Sequence, residues 1–161
     1  MRTLQPSQKT KSARMIDDLD RQILRMLSKN ARLSFREIAV KLDVSTSTVS
    51  ARIKRLEDQR LIRGYFPDVD PRALGLELVA IIGVRIAHGK LLDVQKTVAR
   101  DERVFAVYDT TGEWDSIILA RFKGTRDLDG FVKKTLALPD VERTNTMVVL
   151  NTVKEELRVV P

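Results

Sequence analysis

Apolar residues recur at helical spacing in three successive stretches near the N-terminus, which predicts three short helices. The first helix covers residues 16–30, and either Asp17 or Asp18 caps its N-terminus. Its buried stripe consists of Leu19, Ile23, Met26 and Leu27. Because charged residues fill the positions between them, one side of this helix packs on a core and the other faces water.

The next two helices form a compact motif joined by a tight turn. Ser34 and Glu37 have the S-x-x-E spacing of a capping box, which starts the second helix. Residues 43–44 make the corner, and Ser45 then caps a third helix that continues to about Arg60. This arrangement is typical of a helix-turn-helix motif.

The third helix has a polar outer face that suits a nucleic-acid groove. Val49, Ile53 and Leu56 face inward, whereas the outer face is small and polar at its start and cationic further along. Short hydrogen-bonding groups can reach base edges, and cations can bind phosphates. The candidate DNA-binding residues are Ser45, Thr46, Ser47, Thr48, Ser50, Arg52, Lys54 and Arg55. The alternative is an ordinary amphipathic helix with a solvated polar face.

The segment after the third helix predicts a short strand or wing, followed by a hinge. Apolar residues alternate loosely in residues 61–66, as in a strand that packs on the helices. Pro67 and Pro71 then remove two amide donors and resist helix formation. We therefore expect a helix-turn-helix domain at residues 15–64 and a semi-rigid hinge at residues 65–75.

The remaining sequence predicts a second domain, at residues 76–155, in which strands alternate with helices. Stretches rich in β-branched and apolar residues predict strands at residues 76–87, 104–110, 114–123 and 142–153. Helical spacing predicts two helices, at residues 90–100 and 125–138. The order strand–helix–strand–strand–helix–strand matches the ferredoxin-like βαββαβ plan, so the predicted fold class is α+β.

Apolar residues occupy consecutive positions in three of these strands, at residues 80–82, 117–119 and 148–150. Two helices cover only one face of a four-stranded sheet, so the other face needs a partner. The simplest partner is a second copy of the chain, which predicts a homodimer. Such a dimer would present two DNA-reading helices about one turn of the duplex, or a multiple of it, apart.

The composition excludes several classes of function. The 161 residues include no cysteine and a single histidine, His88, which removes thiol catalysis, disulfides and thiolate metal sites. The sequence shows no nucleophile–base pair, phosphate loop or zinc ligand set, so we predict neither an enzyme nor a bound cofactor or metal. No apolar run approaches the roughly 20 residues of a membrane span, and residues 1–14 are too polar for a signal peptide. We therefore expect a cytoplasmic protein.

The charge is distributed unevenly along the chain. Residues 1–75 contain 16 Lys and Arg against 9 Asp and Glu, whereas residues 76–161 contain 13 of each. The excess positive charge therefore lies on the half that carries the helix-turn-helix motif, and double-stranded DNA is the predicted partner. We expect a flexible basic tail at residues 1–14 and a short C-terminal tail at residues 156–161 on either side of the two domains.

Several segments together resemble the Lrp/AsnC group, also called feast/famine regulatory proteins. They are DDLDRQIL, SFREIAVKLDVSTSTVSARIKRLEDQRLIRGY, DPRALG, TGEWD and LPDVERTNT, which begin at residues 17, 34, 70, 111 and 138. The resemblance covers about residues 15–153. It implies a winged helix-turn-helix domain, a hinge strand and an α/β ligand-sensing domain. It also implies dimers that associate into tetramers, octamers or larger discs, and small effectors, usually amino acids, in clefts between neighbouring dimers.

By position, the resemblance implies an effector site on the hairpin between the second and third strands and at the start of the last strand. The residues are Thr111, Gly112, Glu113, Trp114, Asp115, Thr144 and Thr146. Backbone amides and threonine hydroxyls would hold the effector's carboxylate, and Asp115 would hold its ammonium. Structural roles remain open for five of them: a positive φ at Gly112, a core or interface anchor at Trp114, bonds to hairpin amides at Asp115, and ordinary strand positions at Thr144 and Thr146.

Two functions fit this organisation. We expect a sequence-specific transcriptional regulator whose assembly or DNA affinity responds to a small effector, an amino acid by resemblance. The alternative is an architectural protein that organises DNA with little sequence preference. Its affinity would fall steeply with salt and would favour no operator.

Overall fold

The computed structural model describes residues 16–156, which form two compact units, residues 16–67 and residues 68–155. The predicted basic tail at residues 1–14, and residues 157–161 of the predicted C-terminal tail, lie outside the described residues.

The first unit is a bundle of three helices, α1 (Asp18–Lys29), α2 (Phe35–Leu42) and α3 (Thr46–Asp58). Its core is made of Ile23, Ile38, Ala39, Val49 and Ile53. The predicted capping box of Ser34 and Glu37 starts α2, and Asp17 and Asp20 form a second one at the start of α1. Helix α3 ends two residues earlier than expected, because Arg60 adopts a left-handed φ of 56° that a helix cannot accommodate.

The strand predicted at residues 61–66 is not formed. Residues 61–70 have no regular secondary structure. The Tyr65 hydroxyl donates to the Glu57 carboxylate at 2.8 Å, and burial together with this bond raises the pKa of Tyr65 to about 12. Phe66 is 83% exposed. Alternating apolar residues supply one side of a strand, but a strand also needs a neighbour, and this segment pairs with none in the described part of the chain.

The second unit is a four-stranded antiparallel sheet with two helices on one face. Its elements are β1 (Leu78–Ile86), α4 (Leu91–Val98), β2 (Val104–Asp109), β3 (Ser116–Phe122), α5 (Thr125–Leu136) and β4 (Val141–Val148). The strand order is β2-β3-β1-β4. The predicted ferredoxin-like order of elements and the α+β class are thus confirmed. A single 3₁₀ turn, Arg72–Leu74, precedes β1 within the predicted hinge.

The helices bury one face of the sheet. The core includes Ala80, Ile82, Val84, Ile118, Ala120 and Phe122 from the central strands, with Val94, Val98, Leu128 and Phe131 from the helices. Residues between these positions point to the opposite face, since side chains alternate along a strand. We call this opposite face the open face; Ile81, Ile117, Leu119 and Met147 lie on it.

The end of the second unit differs from the expectation. Strand β4 ends at Val148, five residues before the predicted boundary, and Leu150 and Val153 are almost fully exposed. Their apolar character predicted a strand. The pairing of β4 with β1 ends at Val148, however, so these two residues have no strand to pair with in the described part of the chain. On α5, Leu128, Phe131 and Thr135 are buried, whereas Leu136 is about half exposed.

Candidate functional site

The outward stripe of α3 matches the predicted DNA-reading face at its first and central turns. Ser47, Ala51 and Lys54 are exposed along one side of the helix. The Ser45 hydroxyl caps the helix by accepting from the Thr48 amide at 3.0 Å, so Ser45 and the start of α3 are held in place. Short polar groups therefore lie at the N-terminal end of the stripe and a cation lies further along, as a groove reader requires.

The two arginines predicted on the same face are instead turned toward α1. Arg52 pairs with Asp17 and with Asp20, the latter at 3.3 Å, and Arg55 pairs with Asp20. Their side chains are partly exposed on the flank of α3 and are not part of the central outward stripe. The helical wheel placed them close to that stripe, but the acidic partners come from a helix more than 30 residues away, which the α3 sequence cannot show.

The charges in this contact reinforce each other. The Asp20 backbone amide and the Arg52 guanidinium lower the pKa of Asp17, while the Asp17 carboxylate raises the pKa of Arg52. The Asp20 carboxylate is fully buried and also accepts from the Asp17 amide at 3.1 Å. One turn of α1 and one flank of α3 are therefore tied together through four charged side chains.

The predicted effector hairpin is the loop between β2 and β3. The Thr110 hydroxyl donates to the Trp114 carbonyl at 2.8 Å, and the Thr110 amide donates to the Asp115 carbonyl at 3.2 Å. These two bonds close the loop. Gly112 at its tip has φ of 111°, a conformation that favours glycine, so its structural role is established. The neighbouring Thr111 and Glu113 are exposed.

Trp114 lies on the open face, directly over Gly83 of β1. The Arg143 guanidinium covers the ring at 4.7 Å from its centre and lies 3.2 Å from the Glu113 carboxylate. Arg85 of β1 donates to the Glu113 carbonyl at 3.0 Å. A tryptophan, two arginines and a glutamate thus form one cluster, which we call the Trp114 cluster.

Asp115 supports the backbone of the neighbouring strand. Its carboxylate accepts from the Ile86 amide at 2.8 Å and lies 3.4 Å from Nη1 of Arg85. The Ile86 amide needs this acceptor because the β1–β4 register shifts between Arg85 and Ile86. The structural role expected for Asp115 was a bond to hairpin amides, but the amide that its carboxylate accepts from lies on strand β1. The carboxylate is thus already engaged by Ile86 and Arg85.

Thr144 and Thr146 do not lie beside the Trp114 cluster. They pair with Val84 and Ile82, whose side chains belong to the helix-covered core, so both threonines point to that face. Arg143 and Asn145 point to the open face instead. Since the side-chain period of a strand is two, the predicted threonines and the Trp114 cluster lie on opposite faces of the sheet.

Sequence reasoning missed Arg85 and Arg143 of the Trp114 cluster, and it missed Gly83, over which the Trp114 ring lies. A glycine inside an otherwise β-branched strand was the available signal, because it marks a close approach of another group. The two arginines gave no signal of their own, since the hairpin residues that they contact are brought near only by the pairing of β1 with β3 and with β4.

Two family models match the chain. One, described as winged helix-turn-helix DNA-binding, matches residues 16–63, and another, described as Lrp/AsnC ligand binding domain, matches residues 79–159. The chain belongs to the Lrp/AsnC family. The first of these matches covers the three-helix unit, and the second covers the strands and helices of the sheet unit.

Similar proteins cover nearly the whole of this Lrp/AsnC chain. An uncharacterised HTH-type transcriptional regulator of Pyrococcus furiosus is 47% identical over 146 residues, which is 91% of this chain and 99% of its own. The solved structure of Escherichia coli AsnC has a TM-score of 0.85 at 26% identity and covers 91% of this chain and 99% of its own. A feast or famine regulatory protein of Mycobacterium tuberculosis, complexed with L-methionine, has a TM-score of 0.81 at 27% identity. It covers 90% of this chain and 99% of its own.

This Lrp/AsnC protein is a DNA-binding transcriptional regulator and not an enzyme. The helix-turn-helix unit supplies the DNA-binding surface, and the sheet unit is the ligand-binding domain of the family. Within residues 16–156, no helix is long and apolar enough to cross a membrane.

Proposed function

We propose that this regulator senses a small zwitterion, of which an α-amino acid is the fitting class, at the Trp114 cluster. The observation that carries the proposal is the ion pair of Glu113 and Arg143, whose side chains are 65% and 58% exposed. An exposed ion pair contributes little to stability, so it can exchange its internal contact for a ligand at small cost. A zwitterion carries the two complementary charges that this exchange requires.

Each part of the cluster has a role in this proposal. The Arg143 guanidinium takes the carboxylate, for which its planar pair of donors is suited, and the Glu113 carboxylate takes the ammonium. The Trp114 ring offers an apolar surface beside them for the ligand's side chain. Gly112 and Thr111 at the hairpin tip offer backbone amides. The bound L-methionine of the Mycobacterium tuberculosis relative supports an amino acid as the class of ligand.

DNA binding and ligand binding are coupled, in our proposal, through assembly. Met147 and Tyr108 are about half exposed on the open face, which also carries Ile81, Ile117 and Leu119. A second copy that covers this face gives a homodimer, and dimers assemble into a tetramer or octamer. The ligand then favours one assembly, and that assembly fixes the spacing of two α3 helices on DNA.

A thermal-shift screen tests the sensor. Each of the twenty amino acids is added at millimolar concentration to the full chain. A true effector present at about one hundred times its dissociation constant stabilises the fold by roughly 2.7 kcal/mol. The variants Glu113→Gln and Arg143→Gln should abolish the shift. Lys133→Gln is the matched control, because Lys133 forms an equally exposed ion pair with Asp129 on α5.

The outcomes separate the two functions that the sequence allowed. A shift with one or a few amino acids, lost in the two cluster variants and retained in the control, supports the sensor. No shift with any amino acid contradicts it. If the same protein then binds random and genomic duplexes equally well, the architectural function is the correct one.

A further inference from the structure

The buried Asp20 carboxylate joins the start of α1 to the recognition helix α3. It accepts from the Asp17 amide at 3.1 Å, from Nη1 of Arg52 at 3.3 Å and from Nη2 of Arg55. Asp17 adds a second contact to Arg52. These three donors fix the orientation of the fully buried carboxylate, and the two guanidinium groups are fixed with it.

The two arginine side chains remain partly exposed. The side chain of Arg52 is 29% exposed and that of Arg55 is 41% exposed, although Asp20 itself is inaccessible. Nε of Arg55 is buried without a partner among the described residues, so this side chain lies with its stem inward. Both residues lie on α3 beside the outward stripe that carries Ser47 and Lys54.

We propose that Asp17 and Asp20 are positioning residues for DNA binding: they hold the guanidinium groups of Arg52 and Arg55 along the flank of α3, where the remaining donors bind backbone phosphates. A free arginine loses much rotamer freedom when it binds a phosphate. Here the fold has already fixed the side chain, so less freedom is lost on binding.

Electrostatic repulsion alone predicts the opposite effect of these aspartates on DNA affinity. An aspartate near DNA repels phosphates, so its removal should strengthen binding, and an acid that competes with phosphate for arginine would act in the same direction. This repulsion is weak between solvated groups and is screened by salt. The positioning effect acts on every phosphate contact that the held arginine makes. We therefore expect loss of the acid to weaken DNA binding.

The variants Asp17→Asn and Asp18→Asn test this sign in the full chain. Both remove one negative charge from the same turn, but only Asp17 pairs with Arg52, and Asp18 is exposed. Asparagine caps a helix about as well as aspartate, so α1 keeps its start. The probe is a random-sequence duplex of about 40 base pairs, roughly four helical turns, because phosphate contacts form on any sequence.

Fluorescence anisotropy between about 50 and 200 mM KCl gives the affinity and its salt slope. Asp18→Asn should bind as tightly as the wild type or slightly more tightly. Asp17→Asn should bind about three- to tenfold more weakly, the loss expected when one more side chain must be immobilised. Its slope should stay unchanged, because Arg52 still reaches its phosphate. Arg52→Gln should lower the slope by about 0.9, one phosphate contact.

A double-mutant cycle distinguishes positioning from a general effect on the fold. In an Arg52→Gln background, Asp17→Asn should have no further effect on affinity, since the side chain that it positions is gone. Two results would overturn the proposal. One is that Asp17→Asn binds DNA at least as tightly as Asp18→Asn. The other is that Asp17→Asn weakens DNA binding in the Arg52→Gln background as much as it does in the wild type.

Discussion

The Trp114 ring lies so close to the backbone of Gly83 that a Cβ atom added there would be 2.6 Å from Cδ2 of the indole. The hairpin that carries Trp114 can therefore pack on the central strand β1 only because Gly83 has no Cβ atom. Gly83 has an ordinary strand conformation, so the requirement for glycine is one of space and not of backbone strain.

Replacement of Gly83 by alanine should displace the indole. We expect a loss of about 1–3 kcal/mol in the free energy of unfolding, typical of overpacking, and a shift in tryptophan emission. Gly130→Ala is the matched control, because a Cβ at this exposed position in α5 meets nothing within 4 Å. It should stabilise the protein by roughly 0.5–1 kcal/mol. Unchanged stability and emission in Gly83→Ala would contradict the observed packing.

Arg103 makes the second unit sensitive to acid. Its guanidinium lies 2.7 Å from the Asp101 carboxylate and 2.5 Å from that of Asp127. Hydrogen bonding to Arg103 lowers the pKa of Asp101. Burial alone would raise the pKa of Asp127, but the Lys123 amide and Arg103 outweigh it and lower that pKa as well.

A lowered pKa in the folded state gives a defined pH dependence. The stabilisation is fully present above the ordinary aspartate pKa of about 3.9 and is lost as the pH falls through the lowered value. Urea unfolding at pH 7 should therefore show Arg103→Gln to be about 1–2 kcal/mol less stable than wild type, with the difference shrinking below about pH 3. Arg126→Gln, an exposed arginine in the same unit, should show no such convergence. If Arg103→Gln loses as much unfolding free energy below about pH 3 as at pH 7, the ionisation of these aspartates does not stabilise the fold.

Substitution of Asp115 should affect the fold before it affects a ligand. Alanine leaves the Ile86 amide without its acceptor, which costs about 1–3 kcal/mol. Asparagine keeps an oxygen in that place and should recover most of this loss. If Glu113 holds the effector's ammonium, Asp115→Asn retains effector binding. A stable Asp115→Asn protein that no longer binds the effector would show that Asp115, and not Glu113, binds the effector's ammonium.

Lys54 and Arg55 should respond differently to replacement by glutamine, although they are adjacent. Lys54 is exposed on the outward stripe, so Lys54→Gln should lower the salt slope of DNA binding by about 0.9 and leave the melting temperature unchanged. Arg55→Gln also removes a partner of the buried Asp20 carboxylate and should cost about 1–3 kcal/mol of stability. Equal melting temperatures for the two variants would show that the Arg55–Asp20 contact is weak.

The order of elements was predictable because it rests on local signals. Helical spacing, the capping box at Ser34 and the loop around Gly112 are each contained within a few residues, and each placed its element correctly. Residues 61–66 were predicted to be a strand or a wing that packs on the helices. Ile62 does pack on the helix core, but the strand needed a neighbour that the pattern of a single segment cannot supply.

The composition of the two sites was only partly predictable because it depends on distant pairing. Arg55 and Asp20 are 35 residues apart, and Arg143 and Glu113 are 30 apart. The sequence prediction for the effector site named Thr144 and not its neighbour Arg143, but the register of β4 puts only Arg143 on the same face as Trp114. Residue types were therefore easier to predict than the directions in which their side chains point.

The contact between α1 and α3 limits how little of this unit can be moved to another protein. Helix α3 has 13 residues, close to the roughly 12–15 below which an isolated helix is marginal in water. A peptide cut from it would also lack the carboxylates that direct its arginines. Anyone grafting this recognition surface onto another scaffold must therefore carry the first turn of α1 along with it, in the same orientation.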